Sequence, residues 1–284
     1  MITIPPRILL EYLKEDCPLG DRTSEALLSG REVCIATIIA KTDGIIAGLE
    51  EAAVLFQELG ITTELRAEDG ATVSAGQVLL HLHGNARAIL LCERTALNII
   101  GRMSAIATKT SACCAIVAEH STGIKIAGTR KTAPGCRLID KKAVLLGGGD
   151  THRLTLSDAI LIKDNHRMLC SVEDAVRRAK ETSRYVIVEA EADFPEEALQ
   201  AARAGADIIL LDNMDLATIA ETTGMLREEG LRNDVLLEVS GGIEPENLQE
   251  LAKLDIDIIS MGSLTHTVTN FDVSLIIQPP ENTK

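Results

Sequence analysis

Aromatic residues make up only 2% of the 284-residue chain, and tryptophan is absent. The hydrophobic core must therefore consist mainly of Ile, Leu, Val and Ala, a composition that suits buried parallel strands covered by helices. The content of charged residues, 25%, and of hydrophobic residues, 46%, is typical of a globular protein. A chain of this length holds one large domain or two ordinary ones.

Positive charge is also scarce, since the formal net charge is −14. This excess of acid argues against non-specific partners such as nucleic acid or an acidic membrane surface. No run approaches the roughly 18 uncharged apolar residues of a membrane helix, and the apolar run at the N-terminus is too short for a signal peptide. The seven cysteines include no Cys-X-X-Cys pair, which favours a reduced, cytoplasmic protein over a disulfide framework or a zinc site.

The first 105 residues predict a different structure from the rest of the chain. Residues 32–40 alternate in polarity and predict a strand, and residues 50–59 predict a helix. Residues 68–80 predict two short strands in a hairpin with glycine-bearing turns. This hairpin resembles that of lipoyl and biotinyl carriers, but it lacks the lysine that a carrier needs at its tip.

After a long predicted helix at residues 93–116, strands and helices alternate. Six short apolar runs predict strands at residues 124–127, 159–162, 185–188, 207–211, 235–237 and 257–259. Amphipathic helices are predicted between several of them, at residues 172–182, 195–204 and 245–254. Such alternation predicts right-handed βαβ units and a parallel sheet.

Each of these six runs is followed by polar or charged residues, or ends in them. In a doubly wound sheet only one or two strand ends meet the ligand, whereas in a barrel all of them converge on one mouth. Six polar strand ends therefore favour an α/β barrel with a site at that mouth.

One segment of this acidic chain is basic. From Lys125 to Arg167, nine Lys and Arg residues stand against four Asp, a local charge of +5. Arginine suits the bidentate capture of carboxylates, and lysine supplies a point charge for phosphate. We interpret the segment as a binding region for an anionic substrate, with a solvated basic surface as the alternative.

Two glycine sites and a group of carboxylates complete the pattern. Ser240-Gly241-Gly242 and Met261-Gly262-Ser263 follow the last two predicted strands, where barrels frequently bind phosphate. Glu189, Glu191 and Asp212 follow neighbouring strands, and such carboxylates hold Mg²⁺ or stabilise positive charge developing on a sugar ring. Together these features suit transfer of a phosphoribosyl group to an acidic acceptor.

Eight segments form an ordered set of motifs over nearly the whole chain. They are Glu93-Arg94-Thr95-Ala96-Leu97-Asn98, Thr129-Arg130-Lys131-Thr132-Ala133-Pro134-Gly135, Gly147-Gly148-Gly149 with His152-Arg153-Leu154, Leu161-Ile162-Lys163-Asp164-Asn165-His166, Glu189-Ala190-Glu191, Leu211-Asp212-Asn213-Met214, Ser240-Gly241-Gly242-Ile243 and Leu264-Thr265-His266. Taken together, they resemble the motifs of the quinolinate phosphoribosyltransferase family. One departure is Gly128, which stands where the family often has Asp.

The resemblance implies an α/β fold with an N-terminal α/β sandwich over residues 1–105. An incomplete, seven-stranded TIM-like barrel follows over residues 106–269, and residues 270–284 pack on the sandwich. It also implies a homodimer with a shared active site, into which Arg94 reaches from the partner chain. A hexamer of such dimers is a further assembly that the resemblance implies.

The same resemblance assigns roles to residues. Lys131, Lys163, Glu191 and Asp212 are implied to be catalytic, and Glu191 and Asp212 to hold Mg²⁺, directly or through water. Substrate binding is implied for Arg94, Thr129, Arg130, Lys131, His152, Arg153, Lys163, Ser240, Gly241, Gly242, Gly262 and Ser263. No organic cofactor is expected.

The implied reaction joins quinolinate and phosphoribosyl pyrophosphate to give nicotinate mononucleotide, pyrophosphate and CO₂, a step of NAD biosynthesis. Three alternatives remain: a paralogue associated with molybdate transport, a phosphoribosyltransferase that uses nicotinate, and a phosphate-ligand binding protein without catalysis.

Overall fold

The computed structural model describes residues 2–278. The strands are β1 (Val33–Ala40), β2 (Gly44–Ile45), β3 (Thr62–Leu65), β4 (Thr72–Val73), β5 (Val78–Asn85), β6 (Lys125–Ala127), β7 (Ile160–Ile162), β8 (Val188–Ala192), β9 (Ile208–Asp212), β10 (Leu236–Ser240), β11 (Ile258–Ser260) and β12 (Val273–Gln278). The helices are α1 (Pro6–Asp16), α2 (Arg22–Leu27), α3 (Leu49–Glu58), α4 (Ala86–Ala118), α5 (Arg137–Leu146), α6 (Asp164–Arg167), α7 (Val172–Thr182), α8 (Pro195–Arg203), α9 (Leu216–Glu228), α10 (Leu248–Leu251) and α11 (Ser263–His266), and a 3₁₀ turn covers Pro245–Asn247.

The described residues form two compact units. The first contains residues 2–111, 134–148 and 268–278, and the second contains residues 112–133 and 149–267. The division falls inside α4, and α5 belongs to the first unit. The C-terminal segment predicted to pack on the sandwich covers residues 270–284. Its residues 279–284 lie outside the part of the chain that the structure describes.

The first unit contains a four-stranded antiparallel sheet in the order β12-β1-β5-β3. Alternate residues of β1, such as Ala36 and Ile38, are buried together with Leu80 and Leu82 of β5 and Phe56 of α3. The aliphatic core expected from the scarcity of aromatic residues is thus present, with Phe56 as an aromatic contribution.

The hairpin predicted at residues 68–80 is wrong in its pairing. Strand β4 pairs with β2, whereas β5 pairs with β1 and β3. The turn between β4 and β5 instead bonds to the end of β1, since Gly76 N–H donates to the carbonyl of Ala40 at 2.8 Å. The two strands therefore separate into different sheets.

Helix α5 carries consecutive charges into the interior of the first unit. Asp140 is fully buried and accepts two hydrogen bonds from Arg102, at 2.7 and 2.9 Å. The ammonium of Lys142 lies 2.6 Å from Glu50 and 2.7 Å from the buried carboxylate of Glu51. Since removal of one partner would leave a buried charge uncompensated, these pairs fix the helix in place.

The second unit contains a six-stranded parallel sheet in the order β6-β11-β10-β9-β8-β7. This confirms the predicted α/β fold with a parallel sheet. The seven-stranded barrel is not confirmed, because β6 and β7 share no ladder within residues 2–278. Where a seventh strand would pair with β6, a single parallel bridge joins Asp150 to Ala127.

This sheet is curved. One cavity of about 500 Å³ is lined by Ala127 of β6, Glu189 of β8 and Ile208 of β9, by further residues of β10 and β11, and by Ala159 just before β7. A flat sheet could not bring both edge strands to one cavity, so the strands curl around their inward-facing side chains.

None of the helices in residues 2–278 combines the length and apolar character that a bilayer crossing requires.

Candidate active site

A second cavity, of about 490 Å³, lies where the strands of the second unit end. Most residues predicted for the site line it: Thr129, Arg130, Lys131, His152, Arg153, Lys163, Glu191, Asp212, Ser240, Gly241 and Gly242. Because all strands of a parallel sheet run in one direction, their carboxyl ends meet at one edge, which explains why distant sequence segments converge.

The basic side of the cavity follows β6 and the Asp150 bridge. Arg130 Nε is buried and has no hydrogen-bond partner among the described residues. Burial, together with the nearby guanidinium of Arg130, lowers the pKa of Arg153. Two guanidinium groups that repel each other in a partly buried place favour an anionic ligand, which would neutralise both.

His152 lies at the boundary between the two cavities and lines both. Its Nδ1 accepts the Arg153 N–H at 2.7 Å, while Nε2 lies 3.4 Å from Glu189 and 3.3 Å from Glu238. Burial disfavours a charged ring, whereas the two nearby carboxylates raise the pKa of His152. In this geometry Nδ1 accepts a backbone N–H and carries no proton, so the ring proton is on Nε2, beside the two glutamates.

Both ring nitrogens of His152 are thus directed at protein groups. Glu189 and Glu238 are almost fully buried, and burial, followed by the charge of Glu238, raises the pKa of Glu189. His152 was predicted to hold the substrate; it lines the cavity, but both of its ring nitrogens already lie next to protein groups.

The motif Lys163-Asp164-Asn165-His166 places a lysine at the end of β7. Lys163 caps α6, where its backbone N–H donates to His166 Nδ1 at 3.0 Å. Its ammonium lies 2.9 Å from Glu191 Oε2, and Asp164 N–H donates to Glu191 Oε1 at 3.3 Å. The carboxylate of Glu191, although buried, is therefore held by two donors from the neighbouring strand end.

A group of carboxylates faces this lysine. One oxygen each of Glu191, Asp193 and Asp212 lie within 4.8 Å of one another. Burial and the charge of Glu191 raise the pKa of Asp212. Closely spaced, partly buried carboxylate oxygens are hard ligands of the kind that Mg²⁺ prefers, so the residues present fit this ion.

A glycine corner, Ser240-Gly241-Gly242, follows β10. Gly241 has φ +99° and Gly242 φ +58°, backbone conformations that glycine adopts without strain. The second predicted glycine site differs, because Gly262 and Ser263 do not belong to the cavity lining. Gly262 lies against the side chain of Lys131, and the buried Ser263 hydroxyl donates to the carbonyl of Ile243 at 3.3 Å.

Arg94 is exposed on α4 of the first unit, and its predicted role requires a partner chain. Several residues at the site were not assigned a role from the sequence, among them Asp193, Asn213 and Glu238. A signal existed for Glu238, since it stands two residues before Ser240 on the same strand and hence on the same face. Asn213 belongs to the motif Leu211-Asp212-Asn213-Met214, which gave it no role, and no comparable signal marked Asp193.

The fold and the site define an α/β enzyme for phosphorylated, anionic small molecules, with cations, carboxylates and a glycine corner around one cavity. A family model for the C-terminal domain of quinolinate phosphoribosyl transferase matches residues 106–276, and one for its N-terminal domain matches residues 21–104. The chain therefore belongs to the quinolinate phosphoribosyl transferase family, which confirms the resemblance found in its motifs.

Similar proteins support this assignment over nearly the full length. A probable nicotinate-nucleotide pyrophosphorylase (carboxylating) of Methanothermobacter thermautotrophicus is 41% identical, across 95% of this chain and 98% of that protein. The human nicotinate-nucleotide pyrophosphorylase (carboxylating) is 36% identical, across 96% and 93%. The crystal structure of NadC from Streptococcus pyogenes matches with a TM-score of 0.89 and 33% identity, over 98% of this chain and 100% of that one.

Proposed function

We propose that this protein transfers the phosphoribosyl group of phosphoribosyl pyrophosphate to quinolinate and releases CO₂, which yields nicotinate mononucleotide for NAD biosynthesis. The observation that carries this proposal is a single cavity with paired guanidinium groups, clustered carboxylates and a glycine corner. The names of the similar proteins support the same reaction.

The basic side would bind the acceptor. Arg130 and Arg153 offer planar donors to the two carboxylates of quinolinate, and Lys163 adds a third cation. The exposed ammonium of Lys163 would divide its contacts between the acceptor and Glu191. We assign Thr129 to the same wall, and His152 to holding Arg153 and the buried glutamates in position.

The acidic side and the glycine corner would bind the donor. Glu191, Asp193 and Asp212 would hold Mg²⁺, directly or through water, and the ion would neutralise the charge of the departing pyrophosphate. Ser240, Gly241 and Gly242 would receive the 5′-phosphate through backbone N–H groups. Lys131, whose carbonyl accepts the Thr265 hydroxyl at 2.9 Å, would contact the pyrophosphate.

Positioning and charge stabilisation account for the chemistry. The pyridine nitrogen attacks C1 of the ribose as the bond to pyrophosphate breaks, and the carboxylates stabilise the positive charge that develops on the sugar. The quaternised ring then accepts the electron pair of the carboxylate carbon–carbon bond as CO₂ leaves. A proton from Lys163 or from solvent completes the product.

The assembly and location follow the family resemblance. We propose a homodimer in which Arg94 enters the site of the partner, with a hexamer as a further assembly. The curled six-stranded sheet would serve as the incomplete barrel, with the Asp150 bridge in place of a seventh strand. All seven cysteines are free thiols, which supports a reducing, cytoplasmic location.

A comparison of acceptors tests the proposal. The purified protein with phosphoribosyl pyrophosphate and Mg²⁺ should form nicotinate mononucleotide, identified by mass, from quinolinate. Product from nicotinate but not from quinolinate would favour the nicotinate-using alternative, and no product from either would favour the molybdate-associated paralogue or a binding protein.

A further inference from the structure

Asn213 stands directly after Asp212 at the end of β9 and lines the site cavity. It has φ +54°, and His152 is the other non-glycine residue with positive φ in the described part of the chain. Such backbone conformations are uncommon outside glycine, although Asn tolerates them better than most residues. Where they occur, they cluster at functional sites.

The left-handed backbone has a consequence for Asp212. In an extended strand, consecutive side chains point to opposite faces, so Asn213 would point away from its neighbour. Here the chain turns at Asn213, and its Nδ2 donates to Asp212 Oδ2 at 2.6 Å. The amide therefore fixes one oxygen of a carboxylate that we assign to the metal and the ribose, and leaves the other available.

Asn213 also contacts the glycine corner. Its backbone N–H donates to the carbonyl of Ser240 at 2.9 Å. A Cβ atom on Gly241 would overlap Asn213 Oδ1 and would lie 2.6 Å from its Cγ and 2.8 Å from its backbone nitrogen, closer than real Cβ atoms approach. The absence of a side chain at Gly241 therefore makes the room that the Asn213 amide occupies.

We propose that Asn213 is a positioning residue that sets the Asp212 carboxylate relative to the Ser240-Gly241-Gly242 corner. The inference rests on the proposed function, in which Asp212 serves the ribose and metal end of phosphoribosyl pyrophosphate and the corner serves its 5′-phosphate. Because the Asn213 side chain contacts both the Asp212 carboxylate and the glycine corner, it fixes the distance between them. That distance would select a donor whose 5′-phosphate and reacting carbon are separated by one ribose.

The substitution Asn213→Gly separates the effect of the side-chain amide from that of the backbone conformation. Glycine removes the amide but adopts the left-handed conformation at no cost. We expect the KM for phosphoribosyl pyrophosphate to rise about tenfold, the scale of one lost hydrogen bond to a charged group, while the KM for quinolinate stays within about twofold. Binding of Mn²⁺ alone, followed by electron paramagnetic resonance, should weaken in the same variant. Asn213→Asp, of the same shape but without the donor, should raise the KM for phosphoribosyl pyrophosphate further, because it adds negative charge beside an anionic substrate.

A double-mutant cycle with Gly241→Ala gives an independent measurement. If Gly241 makes room for the Asn213 amide, the loss caused by Gly241→Ala should be smaller in the Asn213→Gly background than in the native one. Additive losses would overturn the proposal. So would a wild-type KM for phosphoribosyl pyrophosphate and wild-type Mn²⁺ affinity in Asn213→Gly, whether or not its melting temperature falls. The reaction of the unsubstituted enzyme with quinolinate tests the proposed function separately.

Discussion

At the scale of single residues, the basic side of the site contains charge that the described protein groups do not fully neutralise. The buried Nε of Arg130 lacks a partner there, and the nearby Arg153 has a lowered pKa because of burial and of Arg130 itself. Both observations are expected of groups arranged for an anion that arrives with the substrate rather than for a permanent ion pair.

Arg130→Ala should therefore impair binding of the acceptor. The loss of charge-assisted hydrogen bonds to a carboxylate predicts an increase of about 10- to 100-fold in the KM for quinolinate. Arg130→Lys keeps the charge without the planar donor pair and should recover only part of the loss. The KM for phosphoribosyl pyrophosphate is the internal control; an equal change in both constants would contradict the assigned role.

A second residue-scale prediction concerns the first unit. The Tyr12 hydroxyl donates to the carbonyl of Gly135 at 2.7 Å, and burial, followed by the charges of Cys136 and Asp140, raises the pKa of Tyr12 to about 12. In the unfolded chain a tyrosine loses its proton near pH 10. The stabilisation from Tyr12 is thus complete below about pH 10 and is lost as the pH rises toward 12.

Tyr12→Phe isolates this contribution. The variant should lose about 1 kcal/mol of unfolding free energy at neutral pH, the typical value of one hydrogen bond. The difference from the wild type, measured by chemical denaturation between pH 8 and about pH 12, should shrink above about pH 10. If the difference in unfolding free energy between the wild type and Tyr12→Phe stayed constant over this pH range, the account of Tyr12 would be contradicted.

At the scale of elements, the sequence predicts helices better than it predicts the strand that bears the acids. Helix α7 begins and ends at the predicted residues, since its apolar positions recur with the helical period and Ser171 caps it. Strand β8 begins at Val188 instead of residue 185, and Glu189 and Glu191 lie within it. Inward-facing acids on a buried strand look like a polar strand end when only the sequence is considered.

Helix α5 gives a prediction at this scale. Lys142→Met should reduce the unfolding free energy by about 3–5 kcal/mol at neutral pH, because Glu51 would remain buried without its partner. Burial already raises the pKa of Glu51, so protonation at lower pH should recover part of the loss. Lys142→Met combined with Glu51→Gln is the matched control and should be more stable than Lys142→Met alone; equal stability would contradict the account.

At the scale of the whole molecule, the motifs predicted which residues belong to the site but not how some of them meet. The order of strand ends predicted one shared mouth, and most of the named residues do line one cavity. The contact of Asn213 with Gly241 depends on one left-handed residue, which no periodicity reveals. The seventh strand was expected from the family, whereas residues around Asp150 form only a single bridge.

The proposed dimer predicts complementation between two defective variants. Arg94→Ala and Arg130→Ala homodimers should each be nearly inactive. If each site combines Arg94 of one chain with Arg130 of the other, half of the mixed population is heterodimeric and each heterodimer has one intact site. Re-association of equal amounts should then restore about one quarter of wild-type activity. Activity no greater than the sum of the separate variants would contradict a shared site.

The central claim is that transfer of the phosphoribosyl group makes decarboxylation possible. The most direct test uses quinolinate labelled in the carboxyl group next to the ring nitrogen and counts released CO₂ against nicotinate mononucleotide formed. We predict equal amounts of both products, and release only when phosphoribosyl pyrophosphate and Mg²⁺ are present together. Label released without the donor, or nucleotide formed with the label retained, would contradict the account.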